Sequence, residues 1–158
     1  MGTTGTPVVI TTTAYVTSAD AQLYFDRRLN TEIWDDASVL DRQKALNWAT
    51  DLINGLNFLG EKASTTQANE FPRDDDTVVP QNIKDACAEL SFKLLDNVDP
   101  ETEIEILRHK AASFDSTKTT YTDAIPEHIA VGIPSAIAWR YLRPYLRDFH
   151  SVDFDRVS

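Results

Sequence analysis

The chain has 158 residues, 42% of them hydrophobic and 9% aromatic, and its 15 Lys and Arg against 25 Asp and Glu give a formal charge of −10. That length and apolar content fit a single domain with its own core and exclude a disordered chain, while no apolar run approaches the roughly 18–20 residues that a bilayer crossing needs. One cysteine, Cys87, excludes an intrachain disulfide framework, and the acidity repels phosphate, so binding to nucleic acid requires a local basic patch.

Residues 1–16 are rich in Thr and β-branched side chains ("PVVITTT") and read as an extended arm or edge strand, without the basic start of an export signal. A first helix is expected over 17–30. Thr17 or Ser18 is its cap and Asp20 suits the positive end of the dipole, with Ala19, Leu23, Tyr24 and Leu29 offered to a core. The strongest helix is 38–56. Ser38 and Asp41 have capping-box spacing, Ala45, Ala49, Leu52, Ile53 and Leu56 recur at helical intervals, and Asn54-Gly55 supplies a stop. Residues 56–79 are loop-like. A further helix over 79–97 starts at Pro80 and carries Ile83, Ala86, Cys87, Leu90 and Leu94 on one stripe, ending before Asp99-Pro100.

From 103 to 122 apolar and polar residues alternate, Ser and Thr are frequent, and "FDSTK" resembles a turn, which predicts a long β-hairpin. Over 124–148, Pro126 and Pro134 are each placed to start a short helix, and Pro144 to end or kink the last one. A tail occupies 149–158. The expected fold is mainly α: a small bundle of three to four helices over 17–100 and 124–148, with one β excursion, in a single domain.

The side chains offer little catalytic chemistry. His109, His128 and His150 have no partner at metal-ligand spacing. Asp74, Asp75 and Asp76 lack the alternation and the closing Glu of a calcium loop, so they read as a solvated acidic segment. Cys87 sits on an apolar helical stripe, where a thiol packs as a small hydrophobe. There is no G-x-S-x-G elbow, and the five glycines are too scattered for a phosphate loop. The expectation is a non-enzyme without cofactor or metal. One segment is richer: "WRYLRPYLR" (139–147) interleaves Trp139, Tyr141 and Tyr145 with Arg140, Arg143 and Arg147. It reads first as a helix packed on its own domain, next as a protein interface, and last as a stacking and cationic surface for nucleic acid.

Taken in order, "YVTSADAQLYFDRRL", "KALNWATDLINGLNFLGEKA", "NEFPRD", "VPQNIKDACAELSFKLL" and "IPSAIAWRYLRPYL" resemble the head–tail connector (adaptor, or head-completion) proteins of tailed bacteriophages, over roughly residues 14–147. The doubled "IPEHIAVGIP" departs from the single proline-led start of that pattern and leaves the last helix boundary open. The resemblance implies a structural virion protein assembled in the host cytoplasm. It would form a homo-oligomeric ring of about twelve copies under the portal, touching portal and tail or neck proteins while packaged DNA passes through without specific binding. On that reading Ile104, Ile106, Phe114 and Tyr121 meet a neighbouring subunit. Trp139, Arg140, Arg143, Tyr145, Arg147 and Phe149 face portal or tail, and Asp74, Asp75 and Asp76 face the channel. Relatives in the same neighbourhood are described as DnaT-like single-stranded-DNA-binding proteins, the competing expectation.

Overall fold

Helix α4 (Gln81–Leu95) organises the molecule, because its sequence can be buried on nearly every side. In the computed structural model, which describes residues 13–113 and 125–147, every residue from Ala86 to Phe92 is buried. Small Ala86, Cys87, Ala88 and Ser91 admit close neighbours, Ser91 returns its hydroxyl to the Ala88 carbonyl at 2.7 Å, and Glu89 is paired. A helix apolar or satisfied all round belongs inside. Around it pack α1 (Ser18–Phe25), α2 (Glu32–Asp36), α3 (Val39–Asn54) and α7 (Ala136–Leu142). The remaining elements are α5 (Pro100–Ser113), α6 (Glu127–Ala130) and a 3-10 turn at Arg143–Tyr145.

Local signals set the helix starts. The Thr17 and Ser38 hydroxyls accept from the Asp20 and Asp41 amides at 3.1 Å, and Ser135 does the same for Ala138 at 3.1 Å; each satisfies an orphan donor of a first turn. The two prolines divide the work, Pro126 preceding α6 and Ser135, after Pro134, capping α7. Pro144 falls in the 3-10 turn that follows α7.

Three expectations change. The hairpin over 103–122 is not seen: residues 100–113 are helix, residues 114–124 lie outside the described residues, and the described residues contain no strand, only isolated bridges Phe58–Leu146 and Lys62–Arg73. Asp99 explains the difference. Its carboxylate accepts from the Glu101 and Thr102 amides at 2.9 and 3.2 Å, so Asp99-Pro100 opens a helix as well as closing the previous one. Glu101 and Glu103 then suit the positive end of the dipole. The second change is the face of α1. Ala21 and Phe25 are buried, whereas Ala19, Leu23 and Leu29 are exposed and Tyr24 is half-buried. The third is α2, unforeseen, which inserts Trp34 beside Phe25 at 4.6 Å between ring centroids. The Trp34 indole N–H donates to Gln22 at 2.9 Å, and Arg42 donates to the Trp34 and Asp35 carbonyls at 2.8 Å. Of the arm expected over 1–16, residues 1–12 lie outside the described residues, whereas 13–16 are described, form no strand and send Tyr15 and Val16 into the core; the tail over 149–158 lies outside the described residues.

The connection 56–79 is pinned rather than loose. Phe71 is buried, edge-on to Phe58, Tyr145 and Tyr15 at 4.7, 5.5 and 6.1 Å. The Tyr15 hydroxyl donates to Asn54 and accepts from the Glu70 and Phe71 amides at 3.0 and 3.3 Å. Arg73, also buried, donates to the Leu59 and Gly60 carbonyls at 2.8 and 2.5 Å and to the Glu70 carboxylate at 2.6 Å. Arg147 closes the same region from the far end of the chain, donating to the Phe58 carbonyl at 2.8 Å.

Candidate functional site

The outward surface that combines cations, aromatic rings and a concave shape lies where α1 and α7 flank α4. Two adjoining clefts share Tyr24 and Arg27. One, of about 410 Å³, is lined by Asp20, Leu23, Gln81, Lys84 and Asp85 as well; the other, of about 310 Å³, by Arg28, Glu89, Ile137 and Tyr141. Leu23 is 64% exposed and Ile137 43%, so the cleft has an apolar lining open to solvent. On α7, Ile137, Arg140 and Tyr141 share a face by helical spacing, which brings exposed Arg140 to the rim.

Beneath the cleft lies a polar cluster. Glu89, a side chain only 2% exposed, accepts from the Tyr24 hydroxyl at 2.6 Å and from Arg28 Nε at 3.0 Å. The Arg28 guanidinium lies 4.3 Å from the Phe92 ring centroid, a cation–π contact, and its Nη1 is buried with no protein partner among the described residues. Burial, and after it the hydrogen bonds to Glu89 and Tyr141, push the Tyr24 phenol well above its ordinary range, so it stays a neutral donor. The cluster fixes the two tyrosines against each other across three helices. Rigid tyrosines backed by arginines suit stacking and anion contact; no nucleophile is activated here.

The arginine-aromatic segment divides. Arg147 and Tyr145 are consumed by the fold: Arg147 binds the 56–60 backbone, and Tyr145 packs on Phe71 while its carbonyl accepts from Leu59 at 2.8 Å. Trp139 is half-buried against the core, 6.5 Å from the His128 ring. Arg143 is exposed and pairs with Glu127 at 3.6 Å, so of the six portal- or tail-facing candidates Arg140, Arg143 and Arg147 are exposed, Arg147 being also bonded to the 57–60 backbone. Phe149 lies outside the described residues, as do Phe114 and Tyr121. Ile104 is half-buried and Ile106 exposed, both on α5 rather than on a strand.

Asp74, Asp75 and Asp76 are exposed, and among the described residues no group of three or more His, Cys, Asp or Glu stands close enough to hold a metal. Asp74 is not only solvent-facing. It adopts φ 55° and its carboxylate accepts from the Glu61 amide at 3.0 Å, making it a turn residue. Cys87 lies in the core, with Sγ 3.4 Å from Thr50 Oγ1 and 3.6 Å from the Leu46 carbonyl, and burial pushes its thiol up to about 12.

Sequence reasoning missed Arg27, Lys84 and Trp48. The first two become neighbours only through the α1–α4 packing, and no local pattern marks them. Trp48 is 44% exposed on α3, above a smaller cleft of about 250 Å³ with Lys44, Leu94 and Leu95.

Among the described residues the chain thus builds a mainly helical domain with a cleft at α1, α4 and α7 lined by aromatic rings and by charges of both signs. A family model described as "Putative DnaT-like ssDNA binding protein" matches residues 3–152, and the chain belongs to that family. No curated protein and no solved structure matches it.

Proposed function

We propose that this chain binds single-stranded DNA in the α1–α4–α7 cleft. The observation that carries the reading is the grouping of half-buried Tyr24 and Tyr141 with Arg27 and Lys84 at one cleft, beside Asp20 and Asp85, in a chain whose family is described by such binding. Every base presents a π-face, so tyrosine stacking is sequence-tolerant, and each stacked base is worth about 1–3 kcal/mol. Arg27, Lys84 and Arg140 supply cations for phosphates. Because the whole molecule carries −10, long-range repulsion opposes the encounter, and binding is expected to be strong only at low salt. Fluorescence anisotropy with labelled oligothymidine, titrated at increasing salt, tests this. Binding that weakens with salt and is lost in Arg27→Glu/Lys84→Glu supports the reading; no binding at low salt overturns it.

A second reading, the head–tail connector ring, draws on a different observation. That observation is the chain's acidity, a formal charge of −10, which suits the wall of a channel that DNA passes without sticking. In that role portal and tail proteins are the partners, and the acidic surface including Asp74, Asp75 and Asp76 keeps passing DNA from sticking. Negative-stain microscopy of the chain mixed with a portal separates the two, rings with no affinity for single strands favouring the connector.

A further inference from the structure

We propose that residues 148–156 of the same chain, "DFHSVDFDR", dock in the α1–α4–α7 cleft and compete there with a single strand. The consequence rests on the single-strand reading, whose site thereby gains a built-in competitor. Beyond Arg147 the sequence sets Asp148, Asp153 and Asp155 among Phe149 and Phe154, with one cation, Arg156, after them. Carboxylates spaced among aromatic rings offer the two chemistries a strand offers, negative charge and π-faces. The cleft holds the complement. Arg27, Lys84 and the rim residue Arg140 are cations for the three aspartates, and exposed Leu23 and Ile137 give apolar area for the two rings. Asp20 and Asp85, which oppose a strand, are partners for Arg156. Complementarity in both signs fixes one register for the segment.

The place where Arg147 is anchored decides which copy supplies it. α3 runs antiparallel to α4: Thr50 Oγ1 is 3.4 Å from Cys87 Sγ, and Lys44 and Trp48 share a cleft with Leu94 and Leu95. The C-terminal end of α3 therefore lies by the N-terminal end of α4, where Gln81, Lys84 and Asp85 line the cleft. Arg147 is tied to that end. Its amide donates to the Asn57 carbonyl at 3.1 Å and its Nε to the Phe58 carbonyl at 2.8 Å, just beyond α3. Tyr141, on the cleft wall, is no more than about 22 Å of extended chain from Arg147, whereas residues 148–156 reach about 30 Å. A segment tethered this closely has an effective concentration on the order of 1 mM, so the chain's own cleft is filled ahead of a second copy's. With an intrinsic affinity of only about 0.1 mM, it lowers the affinity for a strand about tenfold.

Two measurements on the full chain test the proposal. Without nucleic acid, a nitroxide on Ser151→Cys, selective because Cys87 is buried, is expected to broaden the amide signals of Tyr24, Arg27 and Lys84 at low salt. Arg27→Glu/Lys84→Glu in the same labelled chain should abolish the broadening, which mere nearness would not do. A nitroxide carried by an isotopically silent second copy should produce none. Absent broadening, broadening that survives the reversal, or broadening from the second copy each overturns the docking. With nucleic acid, Phe149→Ala/Phe154→Ala, which leaves the charge unchanged, should bind labelled oligothymidine about tenfold more tightly than the wild type. Equal affinity overturns the competition and leaves the single-strand reading intact. Failure of that reading shows separately, as no oligothymidine bound by either chain, and leaves the docking measurement standing.

Discussion

Two regions of the molecule use the same residue types to opposite ends. Around Arg73 the guanidinium and the rings of Phe58, Phe71 and Tyr145 face inward, and nearly every donor is spent on backbone carbonyls or Glu70. In the α1–α4–α7 cleft Arg27 is exposed while Arg28, Tyr24 and Tyr141 are half-buried around one buried carboxylate. An arginine among aromatics is therefore not a binding signal in itself. What separates clasp from cleft is whether carbonyls or solvent occupy the donor side, and that depends on elements distant in sequence.

The largest expected effect lies in the clasp. Arg73→Ala removes the buried guanidinium that bonds the Leu59 and Gly60 carbonyls and the part-exposed Glu70 carboxylate, which keeps Lys62 at 3.8 Å, and should cost about 2–4 kcal/mol, read as a lowered midpoint in urea denaturation. Arg73→Lys should recover only a minor part, because the ammonium cannot reproduce the fork. Near-wild-type stability in Arg73→Ala would break the comparison at its inward end.

Next is Gly60, at φ 73°, where an added Cβ would stand 2.2 Å from the Asp74 carboxylate. Gly60→Ala should destabilise by about 1–3 kcal/mol, and Asp74→Gly in the same chain should relieve the clash while losing the bond to Glu61. Thermal unfolding of the single and double variants measures both.

The pH dependence comes from Cys87. Its folded pKa is raised by burial from 9.0 to about 12, so the native state holds a proton that the unfolded state releases. The stabilisation is fully present below pH 9 and falls as pH rises from there towards 12, since the unfolded chain then binds fewer protons. Cys87→Ala should flatten that part of the alkaline stability curve at the cost of a small cavity.

Smallest in stability, and decisive for the cleft, are Arg27→Ala and Lys84→Ala. Both side chains reach solvent, so unfolding midpoints should move by no more than about 0.5 kcal/mol, while each should reduce the salt slope of single-strand binding by about 0.7.

The parts of the fold that local signals control were legible. Ser38 and Asp41 marked the start of α3, Gly55 its end, and the stripe from Ile83 to Leu94 marked the core of α4. "FPR" lies in a run that reads as loop, and its anchoring role shows only once Phe71 packs on Phe58 and Tyr145. Residues 103–106 misled because Glu103, Ile104, Glu105 and Ile106 alternate with period two, while the helical cue, Asp99 capping Glu101 and Thr102, coincides with a proline that also ends α4. The core face of α1 is settled by Trp34 and Phe92 packing on Phe25, a tertiary preference that left Leu23 outside. The cleft was half legible. Tyr141 and Arg140 stood out within one segment, but Arg27 and Lys84 join them only once three helices are assembled.

The central claim is that the outward arginines and tyrosines bind single strands while the inward set holds the fold. Anisotropy titration of labelled oligothymidine at low salt, comparing wild type with Arg27→Glu/Lys84→Glu, tests it most directly. Salt-sensitive binding by the wild type and none by the equally folded variant is the predicted result; equal affinity in the two, or no binding by either, would contradict it.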